Sequence, residues 1–330
     1  DLNHTADGGL YAELVQNRSF EFLPIDNPAY HTLTAWSKIG DDKDVVLAVK
    51  EGDAVSKRNP HYLHMQCFKS NTGVRNVGFG RGMFLKAGEE YRFSCYVRSC
   101  DMDIVTMKVS LRNEQDEELD SREFQVNQTS WQKIVCVLSP QGNTSQGSLA
   151  LVIEQGREAE LDFVSLFPVN TFRNRTNGLR KDLAEALEEL HPKFVRFPGG
   201  CLVHDGQLDA RDSLYRWKNT IGPLEERPAR RNNWRYNQTL GLGYYEYFLL
   251  CEDIGAKPMP ILPAAYDPHH QRAVPLDELE PWIQETLDLI EFANGDEDTT
   301  WGKVRAVLGH KELFGLEYIG IGNEEVGEGF

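Results

Sequence analysis

The chain has 330 residues and a formal net charge of −16, with 40% hydrophobic and 10% aromatic residues. Its length exceeds that of a typical single domain, so two domains are expected, and its apolar content excludes a disordered chain. The acidic excess excludes nucleic acid and anionic membrane surfaces as partners, because phosphate groups are bound by clustered lysine and arginine. A neutral substrate such as a sugar is compatible with this charge, and no stretch of about 18 apolar residues is present to span a membrane.

Residues from about 35 to 168 show the period-two pattern of short, half-buried strands separated by polar turns. Apolar residues alternate with polar ones in four runs, which contain Tyr91, Phe93, Cys95 and Val97; Val105, Met107, Val109 and Leu111; Leu149, Leu151 and Ile153; and Leu161 and Phe163. Several such strands at regular spacing predict an all-β unit, a β-sandwich of the jelly-roll type.

After Pro168 the pattern changes to helices that alternate with short apolar strands. Helices are predicted from Asn177 to before Pro192, over 242–254, and from Pro281 to before Gly295; their apolar stripes include Leu179, Leu183, Leu187 and Leu190 in the first, and Ile283, Leu287 and Ile290 in the third. Strands are predicted over 193–197, 258–262 and 315–322. This alternation predicts a parallel α/β sheet.

The last predicted strand leads directly into Asn323 and Glu324. In barrels of parallel strands, catalytic groups lie where the strands end. A carboxyl group beside an amide suits glycoside hydrolysis, because the carboxylic acid can protonate the leaving oxygen and the amide can bind a sugar hydroxyl. On the dipeptide alone, a solvated loop carboxylate is the commoner case; the strand context is what favours a catalytic role.

A second strand end carries Arg196, followed by the turn 198–200 and Cys201. The guanidinium group presents a rigid fork of donors that can orient carboxylates or hydroxyls, and the glycines of the turn let the backbone approach a ligand closely. A structural ion pair followed by an ordinary turn explains the same residues equally well.

Several longer motifs carry a resemblance to a known family. They are Ala-Asp-Gly-Gly-Leu-Tyr-Ala-Glu-Leu at 6–14, Phe-Pro-Gly-Gly-Cys at 197–201, Tyr-Arg-Trp-Lys-Asn-Thr-Ile-Gly-Pro at 215–223, Glu-Arg-Pro at 226–228, Gly-Leu-Gly-Tyr-Tyr-Glu-Tyr at 241–247 and Gly-Asn-Glu-Glu at 322–325. Together, and in this order, they resemble glycoside hydrolase family 51, the α-L-arabinofuranosidases. The likeness is most specific at 1–22 and 172–330.

The resemblance implies an α/β plus all-β fold, namely part of a (β/α)8 TIM barrel interrupted early by a jelly-roll β-sandwich. The implied division has residues 1–34 as the start of the catalytic barrel, 35–168 as an inserted sandwich similar to a carbohydrate-binding module, and 169–330 as the N-terminal half of the barrel. The same resemblance implies that the catalytic nucleophile lies beyond Phe330, so that the chain is a fragment without glycosidase turnover of its own.

Site roles also follow from the resemblance. Glu324 matches the general acid/base, Asn323 the amide that binds a sugar hydroxyl, and Arg196 the strand-end arginine of the sugar pocket. Cys201 stands where many members have a substrate-binding asparagine, which puts its own role in doubt. Trp217 matches an aromatic residue near the pocket, where a ring can pack on a sugar; a tryptophan of the core is the equal alternative.

The implied reaction is hydrolysis of terminal non-reducing α-L-arabinofuranosyl groups by double displacement with retention, with no metal and no cofactor. The implied partner is an arabinose-containing oligo- or polysaccharide, and a homo-oligomer is possible. Sequons such as 17–19 and 237–239 are compatible with a secreted or periplasmic protein, whereas the six cysteines show neither a metal-like spacing nor a disulfide framework.

Two other interpretations stay open. One is a sugar-binding protein without catalysis, in which the sandwich binds glycan through a platform of Trp36, Tyr62 and Trp131; buried core aromatics are the commoner case. The other is a related retaining glycosidase with another sugar specificity, because a fold does not determine its substrate. Glu324 distinguishes the first alternative, since a binding module does not need an acid at a strand end.

Overall fold

The computed structural model describes residues 7–101, 103–208, 210–232, 234–268 and 270–324. Within these residues the chain is mostly β, with four α-helices, and it divides into two compact units, one over 7–181 and one from Asp182 onward. No helix in this part of the chain combines the length and apolar character needed to cross a membrane. The division into 1–34, 35–168 and 169–330 stays a prediction.

The first unit contains eleven strands in its described residues: β1 (Trp36–Ile39), β2 (Val45–Ser56), β3 (Asn59–Cys67), β4 (Thr72–Asn76), β5 (Met83–Leu85), β6 (Tyr91–Ser99), β7 (Val105–Arg112), β8 (Glu118–Val126), β9 (Gln132–Leu138), β10 (Thr144–Ile153) and β11 (Arg157–Pro168). One antiparallel sheet has the order β1-β4-β10-β7-β8, with β5 added to β10. The other has the order β2-β3-β11-β6-β9.

The predicted alternation is confirmed in the strands that show it best. In β6 and β7, the odd-numbered residues from Tyr91 to Val97 and from Val105 to Leu111 are buried. Buried apolar side chains of both sheets, such as Leu63 and Leu161 from one and Val109 and Leu151 from the other, belong to a single hydrophobic cluster. The two sheets therefore pack face to face, because each has one apolar surface to remove from water.

The segment before β1 is tied to β11 through the buried carboxyl group of Glu13. This group accepts hydrogen bonds from the backbone amides of Val15 (3.0 Å) and Leu166 (2.9 Å), and from the hydroxyl of Ser165 (2.5 Å). The Leu14 amide also donates to the Leu166 carbonyl at 2.9 Å. Glu13 thus holds an irregular segment against a strand and satisfies donors that are closed off from solvent.

The second unit carries the remaining strands β12 (Phe194–Phe197), β13 (Arg230–Arg231), β14 (Asn237–Gln238), β15 (Lys257–Leu262), β16 (Tyr266–Asp267), β17 (Arg272–Ala273) and β18 (Gly320–Ile321). Strands β12, β15 and β18 form a sheet in that order, and both pairings are parallel. The parallel sheet predicted from the sequence is therefore present, whereas its assignment to a TIM barrel stays a prediction.

The four helices are α1 (Lys181–Glu189), α2 (Tyr244–Asp253), α3 (Glu280–Asn294) and α4 (Thr300–Val307). The predicted start of α1 is wrong: Asn177 has a positive φ of 51° and lies outside the helix. The apolar stripe predicted for α3 is also misplaced, since Ile283 and Leu287 are about half exposed. The buried face of α3 instead contains Trp282, Glu285, Asp288, Leu289, Phe292 and Ala293.

The prediction of a strand over 315–322 is correct only for its end, because β18 comprises two residues. The backbone amide and carbonyl of Leu316 are bonded to the side chain of Asn294, at 2.8 Å each. A backbone group that is satisfied by a side chain is not available to a neighbouring strand. Ladder pairing with β15 begins only at Gly320, opposite Ile261.

Candidate active site

Two strand ends of the parallel sheet lie at one edge and carry most of the predicted site residues. Strands β12 and β18 both pair with β15 in parallel, so their carboxyl ends point the same way. Arg196 is the penultimate residue of β12, Cys201 begins the short 3-10 helix after that strand, and Asn323 and Glu324 follow β18. Sheet geometry therefore brings together residues that are far apart in sequence.

Contacts between side chains join these four residues. The Nη2 group of Arg196 donates to Oδ1 of Asn323 at 2.8 Å, and the thiol of Cys201 donates to Oε2 of Glu324 at 3.2 Å. The Asn323 amide nitrogen lies 3.9 Å from the Cys201 sulfur, a long and weak contact. Each member of the Asn323-Glu324 pair is thus held by a residue at the end of β12 or in the segment after it.

The backbone at both strand ends is adapted to this close approach. A Cβ atom on Gly200 would lie 2.9 Å from Oδ1 of Asn323, so a larger residue would push the amide away. Gly322 has a φ of 80° and donates its amide to the Leu262 carbonyl at 2.6 Å. Glu324 also has a positive φ, 57°, which is an uncommon conformation for a residue with a side chain.

The site is open to solvent and contains one acidic and one basic side chain. Glu324 and Arg196 are exposed, while Asn323 and Cys201 are half-buried. The four residues supply one carboxyl group, one guanidinium, one amide and one thiol. A single carboxyl of this kind can give a proton to a bound group or remove one from it, and the amide and guanidinium can bind hydroxyls.

Trp217 lies in the core of this unit and not in the cluster of four. Its side chain is 0% exposed, and its ring contacts the rings of Phe292 and Trp301, with centroids 5.4 and 4.9 Å away. The indole Nε1 donates to the carbonyl of Glu285 at 3.0 Å. With no face of the ring accessible, the geometry favours the core alternative over the sugar-packing role that the resemblance implies.

Two buried ion-pair clusters explain other motifs of the resemblance in structural terms. Arg227 is 3% exposed and donates to both carboxylate oxygens of Glu246, at 2.8 and 3.0 Å. Glu285 accepts from both Arg211 and Arg216, each at 2.8 Å from its Oε2. Sequence reasoning missed these pairs, and the only available signal was that arginine and glutamate recur in the motifs at 215–223, 226–228 and 241–247.

In the first unit, Trp36, Tyr62 and Trp131 do not form the exposed aromatic platform that was considered for glycan binding. Trp36 and Tyr62 are each 6% exposed, and the Arg98 guanidinium carbon lies 4.3 Å from the centre of the Trp131 ring. In the second unit, a surface cavity of about 570 Å³ lies elsewhere than the four-residue cluster; its lining includes Arg211, Arg272, Asp277 and Trp282. Neither feature therefore includes Glu324.

Comparisons with known proteins agree with the resemblance. The family model described as "Alpha-L-arabinofuranosidase 1 domain" matches residues 186–329. An extracellular exo-α-L-arabinofuranosidase of Streptomyces chartreusis is 43% identical over 335 residues, which is 98% of this chain and 39% of that protein. The α-L-arabinofuranosidase 1 of Arabidopsis thaliana is 35% identical, over 99% of this chain and 48% of that protein.

A solved structure shows the same relationship. An arabinose-bound family 51 α-L-arabinofuranosidase matches with a TM-score of 0.87 and 32% identity, over 98% of this chain and 52% of the other. The chain thus spans roughly half, or less, of the length of these relatives. The similarity extends over both units and includes the segment that carries Glu324. The chain belongs to the α-L-arabinofuranosidases of glycoside hydrolase family 51.

Proposed function

We propose that the protein is an exo-acting α-L-arabinofuranosidase that removes terminal non-reducing α-L-arabinofuranosyl groups from polysaccharides with retention of configuration. In this proposal Glu324 is the general acid/base. The observation that carries it is the position of Glu324 at the carboxyl edge of the parallel sheet, with its carboxylate bonded to Cys201 and its neighbour Asn323 bonded to Arg196. The names of the similar proteins support the sugar specificity.

The proposed chemistry has two steps. In the first, Glu324 protonates the glycosidic oxygen while a second carboxylate, outside the four-residue cluster, attacks the anomeric carbon and forms a glycosyl-enzyme. In the second, Glu324 removes a proton from water, which attacks the same carbon and releases arabinose. Retention requires the two carboxyl groups to be about 5–5.5 Å apart. Glu324 is suited to its part because its side chain is exposed at the carboxyl edge of the sheet.

The other three residues have positioning and binding roles in this proposal. Asn323 uses its amide to bind a sugar hydroxyl, and Arg196 fixes the direction of that amide through its oxygen. Cys201 donates its thiol hydrogen to Glu324, which limits the rotation of the carboxyl group. Cys201 thus acts through Glu324, whereas the resemblance places it at a substrate-binding position.

The sheet β12-β15-β18 is proposed as part of a (β/α)8 barrel because its pairings are parallel, and the first unit as an inserted jelly-roll sandwich because its two antiparallel sheets share one apolar core. Secretion is proposed because the similar Streptomyces protein is named extracellular. An arabinose-containing polysaccharide is the proposed substrate, and the homo-oligomer stays a prediction.

The role of Glu324 is tested by comparing leaving groups in protein expressed from the complete gene. Glu324→Ala is expected to reduce kcat/KM for an alkyl arabinofuranoside by at least about a hundredfold. The loss for an activated aryl arabinofuranoside should be far smaller, because that leaving group departs without protonation. Glu317→Ala is the matched control, since Glu317 is an exposed carboxyl on the same segment that pairs with Lys257.

The outcomes separate the alternatives. Equal losses on the two substrates would remove the acid role from Glu324. Tight sugar binding by the unchanged protein without turnover of any furanoside would instead support a non-catalytic binding protein. Faster turnover of another glycoside would support a related glycosidase of different specificity.

A further inference from the structure

The outer face of the sheet β2-β3-β11-β6-β9 carries a cluster of polar side chains that the proposed reaction does not use. Strand pairing places Glu160 opposite His64 and Glu158 opposite Gln66. Side chains of alternate residues point to the same face of a sheet, so these four lie together on it. Cys100 follows β6 directly, on the other side of β11.

Three of these side chains converge. One potential ligand atom each from His64, Cys100 and Glu158 lie within 4.8 Å of one another. The His64 Nε2 atom is 3.5 Å from Oε2 of Glu158, and the Cys100 sulfur is 3.6 Å from His64 Nδ1. Atoms bound to one tetrahedral zinc ion lie about 3–4 Å apart, given bonds of about 2.0–2.3 Å. Cys100 approaches His64 at Nδ1 and Glu158 approaches it at Nε2, so the Cys100 side chain has to change rotamer before all three groups can bind one ion.

The surroundings of the cluster orient these groups as the neighbours of metal ligands do. Glu160 Oε1 lies 3.3 Å from His64 Nδ1, and the same carboxylate is held by the Arg98 Nε at 2.7 Å. A metal-bound histidine usually donates its other ring N–H to a carboxylate in this manner. Gln66 donates to Oε1 of Glu158 at 2.5 Å, which leaves Oε2 directed toward His64.

One positively charged side chain lies beside the cluster, and it has to move before a metal ion can bind there. The Lys50 ammonium lies 2.9 Å from both Glu160 Oε1 and His64 Nδ1. Its side chain is 43% exposed, so it can move off the ring and keep its ion pair with Glu160. With Lys50 moved away and the His64 hydrogen on Nδ1, donated to Glu160, the Nε2 lone pair would be available to a metal.

We propose that His64, Cys100 and Glu158 form a binding site for a zinc ion, with water as the fourth ligand. Imidazole, thiolate and carboxylate are the three ligand types that zinc accepts in a tetrahedral site, and the thiolate disfavours calcium and magnesium. On binding, the Cys100 thiol releases its proton to solvent and a sulfur–zinc bond forms without oxidation or reduction. The proposal is independent of the glycosidase assignment.

The site is tested with the 330-residue chain after treatment with a chelator. Calorimetric titration with zinc chloride should show saturable binding of one equivalent. Cobalt(II) added in place of zinc should produce the thiolate-to-cobalt charge-transfer absorption of a cysteine ligand. Cys100→Ser and His64→Ala should each weaken zinc binding at least about tenfold and the first should abolish the charge-transfer band.

Cys201→Ser is the control, because it removes a partly exposed thiol from the other unit and should leave zinc binding unchanged. Circular dichroism shows whether each variant is folded. If one is not, alkylation of the unaltered chain decides: zinc should slow the labelling of Cys100 and not that of Cys201. The proposal is overturned by the absence of saturable binding, by equal labelling of Cys100 with and without zinc, or by loss of binding in Cys201→Ser with retention in Cys100→Ser.

Discussion

Cys201 and Glu324 are 123 residues apart in sequence, and the thiol of the first donates a hydrogen bond to the carboxylate of the second at 3.2 Å. The two residues follow different strands of one parallel sheet, β12 and β18. A carboxyl group that has to face a glycosidic oxygen must be held in one rotamer, and this contact is the one through which the β12 loop restrains Glu324.

The first prediction concerns this thiol. Cys201→Ala removes the donor, and kcat/KM for an aryl α-L-arabinofuranoside should fall by about fivefold, as for one hydrogen bond worth about 1 kcal/mol. Cys201→Ser keeps a donor at the same place and should stay within about twofold of the unchanged enzyme. Steady-state kinetics of both variants provide the test, with Cys100→Ser as a control thiol. A similar loss in alanine and serine variants would contradict a hydrogen-bonding role.

The second prediction concerns the pair Arg196 and Asn323. If Arg196 acts by fixing the amide oxygen of Asn323, the effects of Arg196→Ala and Asn323→Ala on kcat/KM should not add. A double-mutant cycle should give a coupling energy of about 1 kcal/mol or more. Arg196→Lys should reduce kcat/KM nearly as much as Arg196→Ala does, because an ammonium cannot reproduce the fork of donors. Additive losses in the cycle would show that the 2.8 Å contact is not used in the reaction.

The site was predictable from the sequence where strand ends determine it. Arg196 lies at the end of one apolar strand and Glu324 follows another, and carboxyl ends of parallel strands meet at one edge, so their proximity followed from the pattern. Trp217 was harder, because a motif gives the residue type and not the burial of its ring. The cluster of His64, Cys100 and Glu158 has no sequence signal, since two members lie in different strands and the third directly after another strand, with unrelated spacing.

The fold shows the same contrast between features that a sequence pattern predicts and features that only tertiary packing determines. Alternation in β6 and β7 predicted both strands because one face of each is buried in a core. The strand over 315–322 was overpredicted, because apolar character does not reveal that Asn294 satisfies the backbone of Leu316. Likewise, α3 has apolar residues on more than one side, and only tertiary packing selects the side with Leu289 as the buried one.

The third prediction concerns pH and Glu13. Burial raises the pKa of this carboxyl to about 7 from an ordinary value of 4.5, against the lowering effects of Arg18 and of the hydrogen bonds from Ser165, Leu166 and Val15. Because the folded pKa is above the unfolded one, the contribution to stability is fully present below pH 4.5. It is lost as pH rises through about 7, by up to about 3 kcal/mol.

The measurement is urea denaturation of the chain at pH 5 and pH 8, followed by circular dichroism. Glu13→Gln cannot ionise, so its free energy of unfolding should depend less on pH, and it should gain relative to the unchanged chain as pH rises. Glu117→Gln, at an exposed turn, is the control. If Glu13→Gln loses stability relative to the unchanged chain between pH 5 and pH 8, the assigned direction of the pKa shift is wrong.

The fourth prediction concerns the buried guanidinium of Arg305, which is 0% exposed. It donates to the backbone carbonyls of Phe292 (2.6 Å), Gly295 (2.8 Å) and Lys311 (3.0 Å), and so joins the end of α3 to the loop after α4. Arg305→Lys should destabilise the second unit by about 2–4 kcal/mol, because an ammonium cannot reach all three carbonyls and leaves buried acceptors unpaired. Lys303→Arg, on the same helix, is the matched control, and thermal unfolding of the two variants is compared. A melting temperature unchanged by Arg305→Lys would show that water replaces these bonds.

The role of Glu324 is tested most directly by the configuration of the sugar azide that the Glu324→Ala enzyme makes from an aryl α-L-arabinofuranoside. Azide needs no general base, so it should attack the glycosyl-enzyme in place of water and restore turnover. If Glu324 is the acid/base, two inversions occur and the product is the α-L-arabinofuranosyl azide. Proton NMR of the product distinguishes the two anomers. A β-azide would mean that azide had replaced the nucleophile itself, and absence of rescue would leave Glu324 without the catalytic role assigned to it.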